Sequence, residues 1–180
     1  MEALKVGDMV VTQDSGLQPV RWIGRRTVFG RGAYAPVQFG AGALNGLTTP
    51  LLVSPQHRIL LSGYQAELLF GESEVFAAAD QLIGAKDVSI TPQREVTYLH
   101  LMFDRHEVIF SNSVATESFY ANEESLSSIS DSSREELFQV FPQLRANIGA
   151  YGDTARMCLN ELEAKTFVSI VAQSKQVLAA

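Results

Sequence analysis

From Met9 to Tyr120 the chain reads as one short β-prone run after another, each closed within a few residues by a turn. Met9-Val10-Val11-Thr12 is followed by the turn residues Asp14-Ser15-Gly16, and Pro19 to Gly24 runs back. Glycines crowd residues 30–46 around a short strand at Val37-Gln38-Phe39. Glu67-Leu68-Leu69-Phe70-Gly71-Glu72 reads as another strand and turn, and Val88-Ser89-Ile90 as a strand ending before Pro92. Ala77 to Leu82 is the one helix-prone piece in this part. So many short strands predict a mainly β fold.

Two stretches carry chemistry-bearing residues. In Leu51 to Leu61, two apolar runs are joined by the polar break Ser54-Pro55-Gln56-His57 and read as a hairpin. Pro55 fixes its own φ and keeps Ser54 extended, so the chain enters the break in a set direction. Alternation places His57, Ile59 and Leu61 on one face. The second stretch is Val96 to Phe110, with Leu99, Leu101 and Phe103 on one face and Tyr98, His100 and Met102 on the other. Asp104-Arg105 reads as a tight turn, and His106 to Phe110 as the returning partner strand. Ser111-Asn112-Ser113 then turns the chain into Val114 to Tyr120.

At Asn122 the character changes. Residues 122–133, rich in Ser, Glu and Asp, read as a polar linker. Ser133-Arg134-Glu135-Glu136 has the form of a capping box ahead of a short apolar helix that Pro142 closes. A second helix is expected near Asp153, carrying Ala155, Cys158, Leu159 and Leu162, while residues 167–171 fit a helix or a strand equally. The expected organisation is a β domain over residues 1–121 and a linker with a helical extension over 122–180.

Composition removes several functions. A net charge of −6 supplies no basic surplus to replace counterions on a nucleic acid. A single cysteine allows no internal disulfide and no Cys-rich zinc site. No apolar stretch reaches bilayer length and no signal peptide opens the chain, so a soluble protein without an address of its own is expected, cytoplasmic by default or exported within a larger one. Gly40-Ala41-Gly42 lacks the third glycine and following helix of a dinucleotide loop. A hydrolase built from Ser54 or Ser118 with His57 and Asp104 has no Gly-x-Ser-x-Gly motif behind it. Three histidines far apart in sequence make a poor zinc set.

Three pieces, in this order, resemble the Hint (hedgehog/intein) domain, and in particular a bacterial branch of it. Leu4-Lys5-Val6-Gly7-Asp8-Met9-Val10-Val11-Thr12 is similar to the segment after that family's first strand. Leu52 to His57 is similar to its Thr/Ser-x-x-His motif, and residues 96–118, with His100, His106 and Asn112, to its C-terminal strand pair. Phe141-Pro142 and Tyr151-Gly152 resemble the tail of the bacterial branch. The resemblance implies a compact, pseudo-symmetric β fold that performs self-catalysed acyl transfer on its own flanking polypeptide, with no cofactor, metal, nucleic acid or membrane. It implies His57 as the acid on the departing nitrogen, Ser54 as its helper, His100 at the place of an intein aspartate, and His106 as a further polar residue of the pocket. The family's attacking Cys or Ser sits on a strand ahead of Glu2, and neither residue occurs before Val6. A His-Asn splicing end is absent, with Glu117-Ser118 in roughly that place. The expectation is therefore an autoprocessing domain, truncated or inactive as written, or else a non-catalytic Hint-like binding or spacer module.

Overall fold

The computed structural model describes residues 3–177. Eleven strands run in order through residues 9–117: β1 (Met9–Thr12), β2 (Gly16–Pro19), β3 (Trp22–Val28), β4 (Val37–Phe39), β5 (Leu51–Val53), β6 (Arg58–Ser62), β7 (Glu74–Ala78), β8 (Val88–Ile90), β9 (Val96–Met102), β10 (Val108–Ser111) and β11 (Val114–Glu117). One α-helix, α1 (Tyr64–Phe70), interrupts them. Then come α2 (Glu123–Ser128), α3 (Asp131–Val140), α4 (Pro142–Ala146), the two-residue β12 (Met157–Cys158) and α5 (Glu161–Val177). The expected division into β strands first and helices later is found.

Two compact units interleave along the chain. One takes the described residues up to Val28, Glu95–Phe110 and Glu117–Ala155; the other takes Phe29–Arg94, Ser111–Thr116 and the described residues from Arg156 on.

In the first unit β1 pairs with β2, Val11 opposite Leu17, and with β10 through Thr12 and Ile109. β9 does not pair with β10 as expected. It runs its whole length against β3, from Trp22 opposite Met102 to Val28 opposite Val96. Seven matched positions offer far more ladder than the four residues of β10. β9 is buried on both faces towards its end. Leu101 and Phe103 join Val20 and Ile109, while Met102 joins Trp22, Phe119, Leu137, Phe141 and Tyr151. The second face is covered by the helices after residue 122. The stretch read as a linker is folded there, with Leu126 and Ile129 buried. Its caps differ from the expected one. Asn122 and Ser125 cap each other's amide at the start of α2, and Ser130 caps α3 by accepting from the Ser133 amide. Pro142 ends α3 and also opens α4 at its first turn, where a missing N–H costs nothing.

In the second unit β4 lies between β5 and β8, and β6 lies between β7 and β11. β5 and β6 thus belong to different pairings rather than to one hairpin. Residues 67–70 are helical, not extended: Gln65-Ala66-Glu67-Leu68-Leu69 are good helix formers, and Gly71 at φ 74° ends α1 in the left-handed cap a glycine fills without strain. Ala77 and Ala78 complete β7, and only Ala79–Leu82 turns, as a 3₁₀ helix. Met157 and Cys158 pair in parallel with Val75 and Phe76, so the last helix begins later than expected. It starts at Asn160, whose side chain and that of Glu163 cap each other's amides, and it continues through 167–171. Phe167 stacks on Phe70 over a core of Val37, Phe39, Ile59, Val75 and Val114. No helix among the described residues is long and apolar enough to cross a membrane.

Two tyrosines of the first unit give a pH signature. Burial pushes the Tyr98 hydroxyl up to about 12 and raises Tyr151 further, although Tyr151 donates to the Phe103 carbonyl at 3.1 Å. Folded values above the unfolded value of about 10 mean stability that is complete below pH 10 and lost as pH climbs through that range. The expected result is that both stay protonated at pH 11 in the folded chain and ionise together with unfolding, read as 295 nm absorbance against circular dichroism. Ionisation of both without loss of structure would contradict these burials.

Candidate functional site

The Ser54–His57 segment is a turn pinned on two sides. The His57 amide donates to the Ser54 carbonyl at 3.0 Å, closing a four-residue turn with Pro55 at its second position. The 3₁₀ segment after β7 then grips it from outside. Asp80 N–H donates to the Pro55 carbonyl at 2.9 Å and Ala79 N–H to the His57 carbonyl at 3.0 Å. Gln56 Nε2 donates to Asp80 Oδ2 at 2.9 Å. Ser54 and His57 are half-buried, so hydroxyl and imidazole remain within reach of a peptide. Ile59 at the start of β6 is fully buried and anchors the turn to the core. An open hollow of about 260 Å³ lies beside it, lined by Gln56, Asp80, Gln81 and Glu161. Partial burial raises the Asp80 carboxyl above its ordinary value, against the pull of the Gln81 amide and the Gln56 side chain, and the charge of Glu161 adds to the rise.

The other two histidines belong to the first unit. His100, half-buried and opposite Gly24, presents its ring edge-on to Phe119 at 5.1 Å between centroids. His106 is buried, and both ring nitrogens are engaged. Nδ1 accepts from the Ala155 amide at 3.0 Å, while Nε2 donates to the Ser118 carbonyl at 3.1 Å with Glu117 Oε2 at 3.4 Å. A backbone N–H facing one nitrogen and a carbonyl facing the other fix the tautomer with the proton on Nε2. Tyr120 lies against the ring at 5.0 Å. Ser54 and His57 are thus joined on one turn, and His100 and His106 flank the same 118–120 segment.

A buried polar network around that segment went unnoticed in the sequence. The Glu107 amide donates to Ser118 Oγ at 2.9 Å, and the Ser118 amide to the Glu107 carbonyl at 2.9 Å. The Glu107 carboxylate accepts from Ser15 Oγ and pairs with Arg105 at 3.2 Å. The signal available was a glutamate set against β-prone apolar residues in each of two segments, Glu107 before Val108-Ile109-Phe110 and Glu117 between Val114-Ala115 and Phe119. Ser118 is buried with its hydroxyl accepting an amide, and Asp104 is exposed and paired with Arg21, an arrangement without a nucleophile's base. Among the described residues no three His, Cys, Asp or Glu side chains converge as a metal set would.

A family model described as "Hint domain" matches residues 1–123, a span that holds the pinned turn, His100, His106 and the buried network. No curated protein and no solved structure gives a significant match.

Proposed function

The chain belongs to the Hint domain family, and on that premise we propose that it is an autoprocessing domain that cleaves its own flanking polypeptide by an N-terminal acyl shift. The reaction needs an attacking Cys or Ser, expected on a strand ahead of Glu2. With a cysteine in that place, its sulfur attacks the carbonyl carbon of the preceding residue. The C–S bond forms as the C–N bond breaks, and the thiol proton ends on the departing amine by way of the His57 ring. Ser54 Oγ hydrogen-bonds the strained peptide. Water or an added thiol then attacks the thioester carbon, releasing the upstream polypeptide and restoring the cysteine thiol. His100 and His106 are kept as further candidate residues of the reaction, His106 with both of its ring nitrogens engaged. We assign this chemistry to residues 1–121 and give residues 122–180 the part of an extension.

The observation that supports this reading best is the pinned Ser54–His57 turn, a hydroxyl and an imidazole held three residues apart with their backbone fixed by three hydrogen bonds. Its test is to extend the chain ahead of Met1 with a segment of the form Cys-Phe-x-x-Gly-Thr and incubate with dithiothreitol or hydroxylamine. The expected result is release of whatever precedes the cysteine, while the 180-residue chain stays intact under the same treatment. An extended chain that stays whole would leave the non-catalytic binding or spacer module as the function of this fold.

A further inference from the structure

Three successive residues of the turn, 55 to 57, are held by two successive residues of the following 3₁₀ segment, 79 and 80. Two of the three bonds run from backbone amides and would survive most substitutions. The third is specific to side chains: Gln56 Nε2 to Asp80 Oδ2 at 2.9 Å. Together with Asp80 N–H to the Pro55 carbonyl, it closes a ring through both ends of residue 80 and fixes the rotation of Gln56, the residue directly before the imidazole.

We infer that Asp80 is a positioning residue for His57, acting through Gln56 to hold the imidazole where it meets the departing nitrogen. The inference rests on the reading of His57 as the acid of the acyl shift. Asp80 touches neither the peptide nor the ring in this role. What it supplies is an acceptor oxygen, not a charge. The bond borders the open hollow and competes with water, so its loss loosens the turn without unfolding it. Partial burial raises the Asp80 carboxyl, which agrees with a group used for hydrogen bonding at a site that tolerates a neutral acceptor. An asparagine keeps such an oxygen and an alanine does not.

The experiment has two arms. In the 180-residue chain, the ring resonances of the three histidines are recorded by NMR for wild type, Asp80→Ala, Asp80→Asn and Gln56→Ala. The expected result is that Asp80→Ala and Gln56→Ala shift or broaden the His57 signals alone, while Asp80→Asn leaves them in place. In the Cys-extended chain, Asp80→Ala slows thiol-induced cleavage by about 10- to 100-fold, the range for a displaced catalytic group. Asp80→Asn stays within about threefold of wild type, and the Gln56→Ala/Asp80→Ala pair is no slower than either single change. His57 signals indifferent to Asp80→Ala, or an asparagine as damaging as alanine, would overturn the inference. A wild-type extended chain that never cleaves would overturn the acyl-transfer reading instead, and the NMR arm would still decide whether Asp80 positions the ring.

Discussion

Replacing His106 with leucine is expected to lower the stability of the first unit by about 2 kcal/mol, the cost of a buried carbonyl that loses its donor. Leucine preserves volume, so the loss is not that of a cavity. It comes chiefly from the buried Ser118 carbonyl, which accepts from the ring, while the half-buried Ala155 amide and the Glu117 carboxylate lose their contacts to the same ring. Trp22 is the sole tryptophan and belongs to the same unit's core, so its fluorescence during urea unfolding reads the effect directly. A midpoint that moves by less than the equivalent of about 1 kcal/mol, within the cost of an ordinary substitution, would show that the ring is not holding these groups. A glutamine variant recovers part of the loss, because its amide donates and accepts as the locked tautomer does.

How far the fold was legible depends on whether its determinants are local. The strands at residues 9–12, 37–39, 88–90 and 96–102 follow from β-branched runs bounded by turn residues, and all are present. The Asn112-Ser113 turn is equally local, with both residues in the left-handed region that this hairpin turn requires. Strand partners were not legible. Adjacent runs were read as hairpins, at residues 51–61 and 96–110, because sequence neighbours usually pair, whereas the longer β3 captures β9 and β4 captures β5. Residues 67–70 were misread for a different reason: a four-residue apolar run has no period, and Gly71 as a helix cap was the better signal. Asn160-x-x-Glu163 was an overlooked capping box of the same kind. The polar stretch at 122–133 carried enough serine to resemble a linker, yet its serines and asparagine are caps and its Leu126 and Ile129 are core.

The candidate site divides along the same line. Pro55 between two apolar runs announced the Ser54–His57 turn, and a turn is there. Its outer grip from Ala79 and Asp80, more than twenty positions away, leaves no trace in local pattern. The burial of Glu107, Glu117 and Ser118 is illegible for another reason. Alternation sends polar residues outward by default, and only the fold shows that hydrogen bonds allow them inside.

The imidazole of His57 is the group on which the whole account turns. It is half-buried on a rigid turn, and the acyl shift cannot finish unless a proton reaches the departing amine. His57→Ala removes that donor and leaves the backbone bonds at residues 55 and 57 in place. The deciding measurement is the single-turnover rate of thiol-induced cleavage in the Cys-extended chain, wild type against His57→Ala, with both melting curves recorded alongside. A rate lower by about 10²- to 10⁴-fold, the usual contribution of a general acid, with melting unchanged, is what this account predicts. Equal rates in two equally folded proteins would contradict it.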